Sequence, residues 1–298
     1  MILAQVTRSG FVEGTHHGSV LAMRADGSTA LALGDVDVPM LPRSSNKPLQ
    51  AAALLSLGWE PASPEQLALA TASHSGEPGH LAVVQEILGD LRLQCPPQPP
   101  LDEQAWYDVM RAGGAAAPIT MNCSGKHAAM LRTCVVNGWD PESYLDPVHP
   151  LQVAITAFLS KAADEPIEHV VVDGCGAPQH ALTLTGLCRA YAGLDPRVVE
   201  AMSARPWHVG GTGRDVTALM SEIPGLVCKD GAEGVYAARL PDGATCAVKI
   251  ADGGGRARTP VLVAALRALG LEAPVLDRLA STPVLGGGRV VGGVTATF

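Results

Sequence analysis

Apolar and polar positions change rhythm twice along the chain. Up to about residue 42 they follow strand patterning. ILAQVT (2–7) and SVLAMRA (19–25) are rich in strand formers, ADGS (25–28) reads as a turn, and the alternating TALALGD follows. Beyond Pro42 the spacing lengthens to that of helices. Ser44 to Leu57 predicts a helix closed by Gly58. Pro48 is tolerable there because the first helical turn has no amide partner to lose. Ser63-Pro-Glu-Gln66 fits a capping box and opens a second helix. Helical periodicity continues over 78–92, 124–137 (stopped by Gly138), 148–163, 179–192 and 195–204, while HVVVDG (169–174) predicts a short buried strand. From Gly225 strands return as LVCKD, then GVYAARL, a Pro-Asp-Gly turn at 241–243 and TCAVKIAD. An amphipathic helix over 258–270 ends at Gly270, and RVVGGVTATF closes the chain as a strand.

Strands at both ends and helices between them predict an α+β fold. One antiparallel sheet is built from about 1–42 and 225–298, with a mainly helical region inserted at about 43–224. No internal repeat or long linker divides the chain, so 1–298 reads as a single domain.

Composition narrows the function classes. Hydrophobic residues make up 47% and charged residues 17%, with only 4% aromatic, so the core must be mostly aliphatic. A net charge of -8 without any basic run argues against a nucleic-acid or anionic-membrane partner. No stretch is long and apolar enough for a membrane span. MILAQVTRSGFVEG lacks the pattern of an export signal, which points to the cytoplasm. The seven irregularly spaced cysteines then read as reduced thiols, mostly small core residues.

Lysine is scarce, at five residues (47, 126, 161, 229, 249), so its positions are informative. Ser44 and Lys47 form Ser-x-x-Lys, and side chains at i and i+3 share a helical face. The helix dipole favours developing negative charge on such a serine. A lysine takes a serine proton only when neutral, which needs burial or a neighbouring cation. The motif is short, and taken alone an N-cap followed by a solvated lysine is the commoner meaning. In TASHSGE (71–77) Ser73, or Ser75, supplies a second hydroxyl facing the Ser44 pocket, unless the segment is a plain helix C-terminal turn. VDGCG (172–176) puts Asp173 and Cys175 two apart at a strand end, pointing the same way, where glycines allow close approach; a turn with a buried thiol is the bland alternative. Lys249 stands on a strand ahead of DGGGR, which lacks the Gly-Lys-Ser/Thr ending of a P-loop. A sheet lysine facing a serine on the helical side is the better functional reading.

MNCSGKHAAM (121–130) remains open at this level. Cys123, Lys126 and His127, with Asp173 and Cys175, supply zinc-ligand types without a standard spacing. Cys123 and His127 at i and i+4 equally suit a nucleophile pair.

The set as a whole resembles the L-asparaginase II family, the rhizobial-type asparaginases, which are distinct from the Thr-dependent bacterial enzymes. The matching stretches are RSGFVEGTHHG, RSSNKPLQ, ASHSGEP, NCSGKHAAML, VDGCGAP, KDGAEGVYA and KIADGGGRA, in order from residue 8 to 258. The resemblance implies a serine β-lactamase-like fold, a homodimer, and hydrolysis of L-asparagine to L-aspartate and ammonia. It implies two Ser–Lys tandems, Ser44 with Lys47 and Ser73 with Lys249. It further implies a zinc site of Cys123, Lys126, Cys175 and Asp173 that assists substrate binding. Arg43, His74, Asn122, His127 and Asp173 are the substrate-binding candidates. Backbone amides at the helix start would hold the oxyanion. A glutaminase differs by one methylene of substrate, worth only about 10–200-fold in discrimination. Other β-lactamase-like serine amidohydrolases share the Ser-x-x-Lys logic. A non-catalytic zinc-binding regulatory module would keep the thiols but have no need of Ser44, Lys47 and Lys249.

Overall fold

The computed structural model describes residues 1–298, and its centre is an antiparallel sheet fed by both chain ends. The N-terminal strands β1 (Ile2–Arg8), β2 (Phe11–Met23) and β3 (Thr29–Leu33) are followed, after the helical region, by five C-terminal ones. These are β6 (Val227–Gly231), β7 (Val235–Arg239), β8 (Thr245–Ile250), β9 (Ser281–Gly286) and β10 (Arg289–Ala296). Their order is β6-β7-β8-β2-β1-β10-β9, with β3 paired to β2. The N-terminal hairpin therefore sits in the middle, hydrogen-bonded to β8 through β2 and to β10 through β1. The expected α+β layout is borne out.

Both faces of this sheet are covered. Val20, Leu21 and Ala22 on β2 are buried in succession, as are Thr245 to Val248 on β8, and consecutive burial requires packing on either side. Helices α7 (Leu184–Ala192) and α11 (Gly255–Ala268) pack against β2, β7 and β8. Helix α11 carries Pro260, which cannot bond the carbonyl four residues back. Thr282 on β9 donates to that Arg256 carbonyl at 2.8 Å and keeps it satisfied.

The helical region holds α1 (Lys47–Ser56), α2 (Pro64–Ala70), α3 (Pro78–Leu88), α4 (Glu103–Arg111), α5 (Ser124–Asn137) and α6 (Pro150–Ala163). Beyond α7 come α8 (Pro196–Ala204), α9 (Pro206–Val209), α10 (Asp215–Glu222) and, after α11, α12 (Pro274–Leu279). Helices α1 and α5 run through the interior. Lys47 to Leu55 are all buried, and Ser124 to Leu131 likewise, so neither helix shows an amphipathic stripe. Ser63 accepts from the Gln66 amide at 3.4 Å, as the capping box predicts, but Gln66 reaches back to the Ala62 amide instead. One apolar core of 74 residues runs through the sheet and the helical region.

Three differences from the sequence reading have local causes. Ser44 does not begin an α-helix; Arg43–Asn46 is a 3-10 turn leading directly into α1. The stretch 179–192 splits into strand β5 (Pro178–His180) and α7, because Thr183 caps the Gly186 amide at 2.8 Å and starts the helix afresh. The apolar run at 169–174 does form strand β4 (Val170–Val172), but all three valines are exposed, because the strand pairs with β5 alone and never joins the main sheet. No helix is long and apolar enough to cross a membrane.

Candidate active site

The site forms where the first turn of α1, the loop after α2, the start of α5 and the turn after β4 meet the edge strand β6. The turn carrying Ser44 is pinned twice. Ser45 Oγ donates to the Pro42 carbonyl at 2.6 Å, and Tyr191 from α7 donates to the Ser45 carbonyl at 2.6 Å. It rests on β6 so closely that a Cβ at Gly231 would lie 2.7 Å from the Pro42 oxygen, which explains the glycine there. Ser44 is half-buried, and its hydroxyl makes no hydrogen bond within the protein.

Lys47 leaves the same face one turn on and is buried. Its Nζ donates to the Ala72 carbonyl at 2.5 Å and to Ser73 Oγ at 3.1 Å. The amine one turn from Ser44 is thus bonded to Ser73, the serine that the resemblance assigns to the other tandem. Lys249, on β8, does not pair with Ser73; its Nζ donates to the Glu233 carbonyl at 2.5 Å. Burial pulls the Lys249 amine below its usual range.

The Ser73 loop is held from three sides. Ser73 donates its amide to Val209, His74 donates its amide to Asn122, and Arg214 donates to the Ser73 carbonyl at 3.3 Å. His74 is fully buried, and burial lowers its pKa well below the usual value. Its Nδ1 accepts from the Gly76 amide at 3.1 Å, so its Nε2 carries the proton and donates to Ser124 Oγ at 2.9 Å. With both nitrogens engaged, His74 braces the loop and presents no free atom to a substrate.

Beside this pair lies the thiol cluster. Gly125 lets α5 approach α2, since a Cβ there would sit 2.5 Å from the Leu69 carbonyl. That contact carries Cys123, Lys126 and His127 inward. The turn after β4 is closed by the Asp173 amide donating to the Ala177 carbonyl, with Gly176 at φ 86, and it delivers Cys175. Lys126 Nζ donates to Cys175 Sγ at 3.1 Å, and Asp173 Oδ2 lies 3.8 Å from that sulfur, so Asp173 and Cys175 do point the same way. The two thiols share a proton unequally. A hydrogen bond from Cys123, the Lys126 ammonium and His127 hold Cys175 well below the usual thiol range. Sharing that bond, together with burial, pushes Cys123 well up. Burial alone would lower Lys126, but the Cys175 charge, with Cys123 and Asp173, more than reverses it and keeps an ammonium. His127 Nδ1 meets Tyr144 Oη at 2.6 Å, while Nε2 is buried with no partner at hydrogen-bond distance. Cys123 Sγ also lies 2.9 Å from Asn122 Oδ1, an acceptor that competes with Cys175 for the same thiol proton.

No group of three or more His, Cys, Asp or Glu side chains comes together to hold a metal. The set here is two sulfurs and a lysine amine with a carboxylate alongside. Its donor chemistry fits zinc once the Lys126 and Cys123 protons are released. Asp173 is only partly available, because Oδ1 accepts from Arg43 Nε at 2.8 Å and from the Gly174 amide at 2.8 Å.

Behind Ser73 lies a buried charge network absent from the sequence reading. Lys229 on β6 is fully buried and donates to Asp230 Oδ1 at 2.5 Å. Asp230 Oδ2 accepts from Arg214 at 2.7 Å, and Arg258 donates to the Gly231 carbonyl at 2.8 Å. Burial, reinforced by the Lys47 charge, brings Lys229 down to about 8 despite Asp230. The available signal was a rare lysine inside an otherwise apolar strand, LVCKD. A separate cleft of about 420 Å³ lined by Leu55, Pro61, Leu67 and Arg205 contains none of these side chains.

No curated protein matches the chain. The L-asparaginase II family model matches residues 4–296, nearly the whole of the sheet and of the helical region. The chain belongs to the L-asparaginase II family.

Proposed function

We propose that this chain hydrolyses the side-chain carboxamide of free L-asparagine through a Ser44 acyl-enzyme. The observation that carries the reading is the placement of Lys47: buried, one turn from an unengaged Ser44 hydroxyl, and already bonded to Ser73. Ser44 is half-buried and reachable, whereas Ser73 is 6% exposed, which favours Ser44 as the attacking group. Ser44 Oγ attacks the carboxamide carbon while its proton passes to the Lys47 amine. The nitrogen leaves as ammonia after receiving a proton through Ser73 Oγ, which the Lys47 bond holds in place. Water then attacks the acyl-enzyme, its proton following the same route, and L-aspartate is released.

Cys123, Lys126 and Cys175, with Asp173 alongside, would hold zinc, which when bound supplies a Lewis-acid anchor for the substrate. The chain's own residues shape that corner. Asn122 orients the Cys123 thiol, and Arg43 orients Asp173.

The test is ammonia release from asparagine, glutamine and a chromogenic β-lactam, with and without chelator. Release from asparagine should exceed that from glutamine, without β-lactam opening. A glutamine rate equal to or above the asparagine rate overturns the substrate assignment. β-Lactam opening without ammonia release overturns the reaction class.

A further inference from the structure

Four non-glycine residues have a positive φ: Ser9, Arg43, Asp164 and Glu233. Ser9 turns the β1–β2 hairpin, and Asp164 is the left-handed C-cap of α6. The other two face each other. Arg43 (φ 51) immediately precedes Ser44, Glu233 (φ 57) turns the β6–β7 hairpin, and Arg43 Nη1 lies 4.0 Å from Glu233 Oε1. A hairpin position of this kind suits Gly, Asn or Asp, and a longer side chain there carries strain that marks function more often than packing.

The surroundings give Glu233 no structural use for its carboxylate. The side chain is 62% exposed and accepts no hydrogen bond from the protein, while only its backbone carbonyl is engaged, by Lys249. The carboxylate lies over Gly253, where a Cβ would sit 2.5 Å from Glu233 Oε2. Asp173, Arg43, Glu233 and Lys249 therefore form a contiguous row of alternating charge beside Ser44. Of the two carboxylates, Asp173 already accepts two donors and Glu233 none. Of the two cations, Arg43 commits only Nε as a donor and keeps its terminal nitrogens free.

We infer that Glu233 is the specificity-determining residue for the free α-ammonium group of the substrate, with Arg43 and Lys249 facing its α-carboxylate. The inference rests on Ser44 being the attacking group, which puts the α-carbon substituents of a short amino-acid amide at this row. It restricts the substrate to a free zwitterionic amino-acid amide and disfavours the same carboxamide lacking the amine.

The experiment compares asparagine with succinamate, which lacks only the α-amine, for wild type, Glu233→Gln and Glu233→Gly. Affinities for L-aspartate and succinate are measured by calorimetry on the same samples. In Glu233→Gln the asparagine-to-succinamate ratio of kcat/KM should fall by about tenfold or more, as expected for loss of a charge-assisted bond. The loss should fall on KM for asparagine, and the aspartate-to-succinate affinity ratio should fall in parallel. Glu233→Gly relieves the left-handed strain, so its melting temperature should not drop while both ratios still fall. That pattern separates recognition from a folding role. Unchanged ratios in Glu233→Gln overturn the assignment. If wild type releases no ammonia but the affinity ratio still depends on Glu233, the recognition inference stands and only the hydrolase reading falls.

Discussion

On the proposed mechanism, Ser44, Lys47 and Ser73 divide the chemistry between reach and burial. A nucleophile must be open to substrate and a base must be shielded from water, and the 3-10 turn into α1 gives each its place: Ser44 half-buried, Lys47 1% exposed. Ser44→Ala should therefore lower kcat by ~10³-fold or more, and Ser73→Ala by about 10²–10⁴, the range for losing a proton relay. Both variants should keep the wild-type melting profile, checked by circular dichroism alongside steady-state ammonia release. If Ser44→Ala stays within tenfold of wild type, the nucleophile is Ser73. The Ser44–Lys47 pair was legible in the sequence because it is local, i and i+3. Its link to Ser73 was not, because the Lys47–Ser73 contact spans 26 positions and only tertiary packing makes it. For the same reason Lys249 was assigned to Ser73 when its amine is held by Glu233. His74, a substrate-binding candidate by motif, proves to be a brace once its two ring nitrogens are traced.

Elements meet at this site through glycines. Edge strand β6 would be an open hydrogen-bonding edge, and the Ser44 turn covers it. The cover works only because residue 231 has no Cβ. Gly231→Ala should push the 42–46 turn outward, costing about 1–3 kcal/mol as overpacking does, read by denaturant unfolding. Activity should fall by more than that stability loss implies, since Ser44 moves with the turn. Gly255→Ala is the control: it opens α11, has nothing within 4 Å of its Cβ, and should leave both measurements near wild type or slightly stabilised. If Gly231→Ala retains full activity, the turn does not depend on this contact. Most elements here were legible from periodicity and stops, as Gly138 closing α5 shows. Helices α4, α10 and α12 and strand β9 were not read. Each is short; α4 does carry an apolar stripe, Ala105, Trp106, Val109 and Met110, and its nine residues hold a readable signal that was passed over. The opposite failure occurs at β4, where three apolar residues in a row stand in solvent.

At the scale of the molecule, the sheet made from both chain ends shares one apolar core with the inserted helices, and a buried ionic network adds a specific tie between them. Lys229 and Asp230 on β6 reach Arg214, which enters α10 and donates to the Ser73 carbonyl, while Arg258 on α11 holds Gly231. The Ser73 loop and the sheet edge are thus tied through one buried carboxylate. Removing it with Asp230→Asn should cost about 3–5 kcal/mol, because Lys229 and Arg214 would be left without their partner. Lys229 adds a pH dependence whose sign follows from its environment. Its folded pKa is lowered to about 8 from the usual lysine value of 10.5, first by burial and further by the Lys47 charge, against the opposing pull of Asp230. Below about pH 8 the lysine is protonated folded and unfolded, and the folded state bears the cost of the buried ammonium. Between about 8 and 10.5 the unfolded chain keeps a proton that the folded one has released, so this group's contribution to stability rises with pH. Buried thiols and tyrosines with raised pKa values, such as Cys228 and Tyr236, act in the opposite direction over the same range. The measurement is therefore a difference: unfolding free energy of wild type minus that of Lys229→Met, from pH 7 to 10.5. It should rise by up to ~3 kcal/mol across the window. A difference that stays flat would mean that Lys229 remains charged throughout, locked to Asp230, and that the tie between sheet and Ser73 loop is a permanent ion pair.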